Sequence, residues 1–485
     1  MSTLDPPQFR AATRMRLLGK MLMGCMTVVL AVAVTLATGA LLEVKTFTDY
    51  LRQSPQLQLG GVLASADAGG PQTLLLIGSD KRSKGAIDAS GPPHSDTMLL
   101  VRLDPNQADT TMLSVPRDLK VTIRPDHRSP TTQKINAAYS IGGAKLAVKT
   151  IKRVLGIQIN HVVDINFAGF KELVDYLGCV YVQVDRRYFN DNAPPAGGGA
   201  PYATINIQPG YQKLCGSDGL DYVRFRHLDT DLVRSARQQD FLRQIKNQLG
   251  AGGLVARRGG IERIFGKYSS TDIRSGDDVL KLLDLLVQSA SHPVRQVRFN
   301  VALGPSYVTA TPAQIHQTVQ QFLHGVTAPG HIAGGGGRGR KPAPAVALTP
   351  ATADELAGAR TLAASVPFPV YYPVRRVTSG FAPVDSVRSY GLHGHPAYVA
   401  VVAQGQLGQY YDLEGTTWTA APILANPNQT IELGGRKLLL YFEGAHLRLV
   451  AWHQGRAVYW VVNTLQDILT NRQMLAIATA ARPIR

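Results

Sequence analysis

A membrane-anchored α/β chain is the predicted fold class: an α+β layered domain with a central sheet flanked by helices, then a smaller β-rich α+β domain. Three observations predict it. Met21 to Leu42 holds 22 residues without a charge. Strand-like and helix-like apolar periodicities alternate from Thr73 onward. Beyond a Gly-, Pro- and Arg-rich stretch at Ala328 to Pro350, closely spaced apolar runs separated by Gly, Asn or Asp replace that alternation.

The uncharged segment predicts a transmembrane helix. At about 1.5 Å per residue it spans about 33 Å, enough for a bilayer's hydrocarbon core and longer than the apolar part of a cleaved signal peptide. Arg10, Arg14, Arg16 and Lys20 precede it against Asp5, whereas Glu43, Lys45, Asp49 and Arg52 balance behind it. The N-terminus is therefore expected in the cytoplasm and residues from 43 onward outside. Outside the cell, Cys179 and Cys215 meet oxidising conditions, where a disulfide is favoured over two buried thiols.

Composition narrows the partners. With 485 residues, 45% hydrophobic and 18% charged, the chain can build more than one core, which excludes global disorder. Lys and Arg number 51 against 34 Asp and Glu, a formal charge of +17 that favours an anionic partner. An external domain makes nucleic acid an unsuitable one. Lipid headgroups, phosphorylated envelope intermediates and acidic wall polymers remain.

After a polar spacer to Pro71, TLLLIGSD (Thr73 to Asp80), TMLLVRL (Thr97 to Leu103) and TTMLSV (Thr110 to Val115) read as strands. Helices are expected at Ala137 to Leu155 and Phe167 to Leu177, with strands at His161 to Asn166 and Val180 to Val184. Further helices are predicted at Leu232 to Leu249 and Asp277 to Ser289, and a returning strand at Gln296 to Leu303. This domain is expected over 72–328, the linker over 329–350 and the second domain over 351–485. In the second, strands are predicted at Tyr398 to Val402, Lys437 to Phe442, Leu447 to Trp452 and Ala457 to Val462, with a final helix at Asn471 to Ala480. Trp418, Trp452 and Trp460 read as core.

Charged groups cluster at strand ends of the first domain. GSDKR ends the first strand and HSDTM precedes the second, so Asp80 and Asp96 could meet at one end of a sheet, as a hard cation requires; each could equally cap a turn. VPRDLK places Arg117 and Asp118 past the third strand, and KINAAY puts Lys134 and Asn136 at a helix start. The segment Tyr222 to Arg243 carries Arg224, Arg226, Arg234, Arg237 and Arg243, planar forks suited to phosphate oxygens. Arg224 and Arg226 are expected on one side of an extended segment, and Arg234, Arg237 and Gln238 on one helical face.

These motifs, GSDKR, SDTMLLVRLDP, SVPRD, KINAAYSIGG, INHVVDINFAGFKELVDYLGCV and YVRFRHLDTDLVRSARQQ, occur in the order and separation of the LytR-CpsA-Psr (LCP) family, which residues 72–250 resemble. The D-L-V-R form and the two cysteines resemble actinobacterial members; His94 stands where the family often has Arg. The resemblance implies an LCP-like fold and a phosphotransferase that moves a glycopolymer from a polyprenyl-diphosphate carrier onto peptidoglycan, forming a phosphodiester. It implies Mg²⁺ (or Mn²⁺) on Asp80 and Asp96, with Arg117, Arg224, Arg226 and Arg234 neutralising phosphoryl charge. Arg82, Lys134 and Gln238 would contact the pyrophosphate, and Asp96 is the candidate base for the acceptor hydroxyl. The prenyl tail requires an apolar groove, for which Leu146, Val154, Phe167, Phe170, Leu173 and Leu177 are candidates. The same site with water as acceptor would be a metal-dependent polyprenyl-pyrophosphate hydrolase; a non-catalytic envelope binding or regulatory protein is a third expectation.

Overall fold

The computed structural model describes residues 45–79, 95–191, 203–225, 230–289, 292–325, 346–383, 386–405 and 409–484, apart from positions 47, 53, 66 and 68, together with Ile332. The expected span at Met21 to Leu42 and most of the expected linker lie outside the described residues, and the last three linker positions form a strand, Leu348–Pro350, paired with Arg375–Val377. Among those described, no helix is long and apolar enough to cross a membrane.

The first domain runs β1 (Gln72–Ser79), β2 (Ser95–Leu103), β3 (Thr110–Ser114), β4 (Lys120–Ile123), β5 (Thr131–Lys134), α1 (Ala137–Leu155), β6 (His161–Asn166), α2 (Phe167–Tyr176) and β7 (Val180–Val184). It continues through β8 (Tyr188–Asn190), β9 (Ile205–Ile207), β10 (Gly210–Leu214), α3 (Gly216–Arg224), α4 (Asp231–Ala256), α5 (Arg258–Tyr268) and β11 (Ser269–Thr271). It closes with α6 (Gly276–Gln288), β12 (Val294–Val297), β13 (Ala302–Leu303), β14 (Val308–Thr309) and α7 (Pro312–His324).

Six strands form one mixed sheet in the order β11-β6-β1-β2-β3-β12, with β6 parallel to β1 and β12 parallel to β3. β1 is covered on both faces, which is why its sequence is a continuous apolar run instead of an alternation. On one face Leu75, Ile77, Met98 and Leu100 pack with Ala144, Val148, Ile151 and Leu155, the buried helical stripe of α1, and with Val319 and Phe322 of α7. α1 breaks at Gly143 (φ +61°, ψ −163°), a backbone conformation open to glycine, and ends at Gly156, whose N–H donates to the Lys152 carbonyl at 2.8 Å. The other face carries α2, α3 and α4 and, with them, the site.

Two expectations change. The single strand at Gln296 to Leu303 is instead β12 and the separate β13, because β12 loses its parallel partner where β3 ends one residue before Val115-Pro116. Arg224 is not on an extended segment; it is the last residue of α3, whose Leu220 and Val223, three apart, turn inward with Val174 of α2. The pairing expected of Cys179 and Cys215 is present, with Cα atoms 4.4 Å apart, and it fastens the start of α3 to the loop after α2.

The second domain runs β15 (Leu348–Pro350), α8 (Ala353–Ala364), β16 (Val370–Tyr372), β17 (Arg375–Val377), β18 (Gly380–Phe381), β19 (Val387–Leu392), β20 (His395–Gln404) and β21 (Tyr410–Thr416). It ends with β22 (Gln429–Leu433), β23 (Arg436–Glu443), β24 (His446–Gln454), β25 (Ala457–Val462), α9 (Asn471–Ala480) and β26 (Arg482–Ile484). Its eight-stranded antiparallel sheet has the order β18-β20-β21-β25-β24-β23-β22, with β19 on β20. Trp452 and Trp460 are fully buried, as core residues should be. Trp418 is half-buried and meets Tyr181 of the first domain. Tyr211 completes this inter-domain cluster, packing with Leu449, Val458 and Trp460.

Candidate active site

The site begins with the register of β1 and β2. Leu76 pairs with Leu99 and Gly78 with Thr97, and these four point away from the main core, flooring a cavity of about 820 Å³ including its open mouth. A side chain at position 78 would press its Cβ to 3.1 Å from that of Thr97, so glycine keeps the floor flat. Phe167 and Phe170 of α2, Leu220 and Val223 of α3, and Phe241 and Leu242 of α4 supply apolar walls. Arg224, Arg234 and Gln238 line the same cavity. One chamber therefore offers a long apolar surface together with guanidinium and amide donors, the requirements of a ligand with an apolar tail and an anionic head.

A chain of ion pairs extends from this chamber. Arg234 pairs with Asp231, one helical turn back on α4. Asp231 also lies 3.8 Å from Arg117 Nε, which is 3.8 Å from Asp118 Oδ2. Asp118 Oδ1 in turn accepts from Lys134 Nζ at 2.8 Å. The expected phosphate ligands Arg117, Lys134 and Arg234 are thus brought into one lattice, held apart from one another by Asp118 and Asp231. Arg224 donates from Nε and Nη2 to Asp221 Oδ1 at 3.0 and 2.6 Å, and its guanidinium lies 5.9 Å from the Phe167 ring centre. Burial raises the Asp221 carboxyl above the usual range, and Arg224 draws it partly back. Gln238 Nε2 donates to the Val223 carbonyl at 3.1 Å.

Asp80, Arg82 and Arg226 lie outside the described residues; Asp96 is described in its backbone only. That backbone sits at a bulge in β2, where the pairing jumps from Gly78–Thr97 to Ser79–Ser95. Ser79 Oγ and Ser95 Oγ are buried beside it without a hydrogen-bond partner among the described residues. Among the described residues the one cluster of metal-ligating types is Asp175 with Cys179 and Cys215, and the disulfide removes both thiolates from it.

Arg237 and Arg243 do not join this ion-pair lattice. Arg237 is fully buried: its Nη1 donates to the Tyr222 carbonyl at 2.7 Å, and its guanidinium lies 4.5 Å from the Tyr188 ring centre. Arg243 faces the second domain, paired with Asp240 and Glu443. Of the six candidates for the apolar groove, Phe167 and Phe170 line it. Leu146 and Val154 pack in the core on the opposite face of the sheet, and Leu173 and Leu177 are not part of the lining. Sequence reasoning missed Asp231 and the floor residues Leu76 and Leu99. The signal for Asp231 was present, an acidic residue in the first helical turn three before Arg234. A strand buried on both faces gives no such signal for Leu76.

The sequence model of the LytR_cpsA_psr family matches residues 39–323. Biofilm regulatory protein A of Streptococcus mutans is 32% identical over 245 residues, 49% of this chain and 57% of that protein. The polyisoprenyl-teichoic acid–peptidoglycan teichoic acid transferase TagU of Enterococcus faecalis is 32% identical over 228 residues, 47% of this chain and 69% of that one. The crystal structure of Bacillus subtilis TagV aligns with a TM-score of 0.42 at 26% identity, over 53% of this chain and 98% of that one. The chain spans little more than half the length of the Streptococcus relative.

Proposed function

The chain belongs to the LytR_cpsA_psr family, and from this premise we propose that it is a phosphotransferase that moves a glycopolymer from a polyprenyl-diphosphate carrier onto peptidoglycan. The observation that carries the reading is the shared chamber: apolar walls from α2, α3 and α4 with Arg224, Arg234 and Gln238 in the same lining. The prenyl tail lies along Phe167, Phe170, Leu220 and Phe241. The diphosphate lies against Arg224 and Arg234, within reach of Arg117 and Lys134.

In the reaction an acceptor hydroxyl oxygen attacks the sugar-bearing phosphorus. The bond from that phosphorus to the bridging oxygen breaks, and lipid monophosphate leaves with the electron pair. Arg117 and Arg234, fixed by Asp231, neutralise charge on the phosphoryl and departing oxygens without reorganising. The hydroxyl proton goes to a carboxylate, for which Asp96 is the proposed base. Asp80 and Asp96 would also hold Mg²⁺ or Mn²⁺, and the buried, unpartnered hydroxyls of Ser79 and Ser95 make the bulge an oxygen-rich setting that fits a hard cation. When bound, that cation supplies further charge neutralisation at the diphosphate. The helix expected at Met21 to Leu42 would hold the domain at the outer face of the membrane where the carrier resides.

The test incubates the purified protein with a short-chain polyprenyl-diphosphate saccharide and peptidoglycan, with Mg²⁺ or with chelator, and follows products by mass spectrometry. Glycan on peptidoglycan together with prenyl monophosphate, lost with chelator, supports the reading. Prenyl monophosphate with free sugar phosphate would establish the hydrolase instead, and intact carrier would remove the enzymatic reading.

A further inference from the structure

The net positive charge of the chain is unevenly placed. Residues 119–163 contain eight Lys and Arg (Lys120, Arg124, Arg128, Lys134, Lys145, Lys149, Lys152 and Arg153) against one carboxylate, Asp126. They belong to two adjoining pieces of structure, the β4–β5 hairpin and α1 behind it. In the hairpin Lys120 pairs with Lys134 and Thr122 with Thr132, so these side chains share one face, and Arg124 continues the row from Thr122. The row begins at the active-site lattice, because Lys134 is the residue bound to Asp118. It runs about 13 Å, four residues at about 3.3 Å each, to Arg124. There it reaches a hollow lined by Pro125, Asp126, His127, Arg128, Gly142 and Lys145, where the break in α1 leaves room.

Beyond Lys134, the cations of this surface are poorly matched inside the protein. Asp126 is taken by Lys149 at 2.6 Å. Arg153 donates to the Thr122 carbonyl at 2.8 Å, and burial, helped by the like charge of Arg124, lowers its pKa. Arg124 and Arg128 are exposed and have no carboxylate partner among the described residues. Repulsion between uncompensated cations is relieved by a bound anion. Cations at both ends of this face, Lys120 and Lys134 at one and Arg124 at the other, suit an extended chain with repeated negative charges. A membrane surface would also call for apolar side chains to insert, and none of the exposed large hydrophobic residues falls in this segment.

We propose that the outer face of the β4–β5 hairpin and the hollow beside α1 form a docking track for the polyanionic chain of the donor glycopolymer, which leaves the active site past Lys134. The inference deepens the carrier reading and rests on it for the identity of the polymer. Its test is binding alone, so that the two can fail separately. A fluorescently labelled, lipid-free poly(glycerol phosphate) oligomer is titrated with the protein at several salt concentrations, beside a neutral dextran oligomer and phosphatidylglycerol vesicles. The parent is expected to bind the phosphate oligomer and not dextran. The triple variant Arg124→Glu, Arg128→Glu, Lys145→Glu is expected to lose at least tenfold in affinity. Its log–log salt slope is expected to fall by about two, at ~0.7 per lost contact to a single-stranded polyanion. Arg360→Glu, Arg456→Glu, Arg472→Glu, three exposed positions of the second domain, removes the same charge and is expected to bind like the parent. Should the first triple variant fail to fold, the corresponding Gln variant carries the same expectation with a smaller loss. Equal binding by parent and track variant, equal loss in the distant variant, or binding to vesicles without binding to the oligomer would each overturn the proposal. Transfer activity does not enter any of these outcomes.

Discussion

Arginines on one helix do different work according to what each side chain meets. Arg234 lies in the ligand chamber against Asp231, Arg237 two carbonyls and three aromatic rings, and Arg243 the second domain. Arg117→Ala is expected to lower transfer about 100- to 1,000-fold, the usual loss of one charge-stabilising donor, with an unchanged melting temperature. Arg237→Ala is expected to do the reverse. The Tyr222 and Phe225 carbonyls lose their donor and a fully buried volume empties, at a cost of about 2–4 kcal/mol, read as a lower melting temperature. The sequence put Arg234, Arg237 and Gln238 on one face because residues three and four apart are neighbours on any helix. It could not tell which neighbour looks into a cavity and which into aromatic packing, since that depends on Tyr188 and Phe225, distant in the chain from one or other of them.

At the scale of elements, α3 is the wall most dependent on a covalent tie. The Cys179–Cys215 bridge closes a separation of 36 residues and ends at the N-cap of α3, which presents Leu220, Val223 and Arg224 to the chamber. Cys179→Ser with Cys215→Ser is expected to cost about 2–4 kcal/mol. Hydrogen exchange should show the loss concentrated in α3, and uniform change over the chain would count against the assignment. Strands β1, β2, β3 and β6 and the long helices α1 and α4 were legible from apolar runs and helical spacing, whereas the edge strand β11, three polar residues long, was not. α3 was not, because Tyr222-Val223-Arg224-Phe225 alternates like a strand, and only its packing against α2 makes it helical. The β4–β5 hairpin escaped for a similar reason: KVTI and TTQK are too short and too polar to stand out.

At the scale of the whole molecule, the second domain is fastened to the first through buried polar groups. Arg448 Nη2 donates to Asp240 Oδ1 at 2.9 Å and Arg298 Nη2 to Asp467 Oδ2 at 2.7 Å. Burial pushes the Asp240 carboxyl up, and Arg448 and Arg243 more than reverse this, so it ends below its ordinary value. Among the described residues Glu414 has no ion-pair partner, and Arg388 lowers its carboxyl only weakly. It accepts from Tyr390 Oη at 2.8 Å and from the Tyr211 N–H at 3.3 Å, and burial raises its carboxyl from 4.5 to about 7. A carboxyl raised by folding contributes stability that is complete below its unfolded value and is lost as pH rises through its folded value. The melting temperature of the parent is therefore expected to fall between about pH 4.5 and about pH 7 more steeply than that of Glu414→Gln. Parallel curves would show that Glu414 is not protonated in the fold. Nothing in the sequence announced this interface, because Asp240, Asp467 and Glu414 are ordinary polar residues until two domains close over them.

The central claim is that phosphorus travels with the sugar from carrier to wall, and it is tested most directly with a carrier labelled in the sugar-proximal phosphate. After incubation with protein and peptidoglycan, the label is expected in the peptidoglycan fraction as a phosphodiester, with unlabelled prenyl monophosphate released and both absent for Arg117→Ala. Label recovered as soluble sugar phosphate, or retained on the lipid while sugar moves, would contradict it.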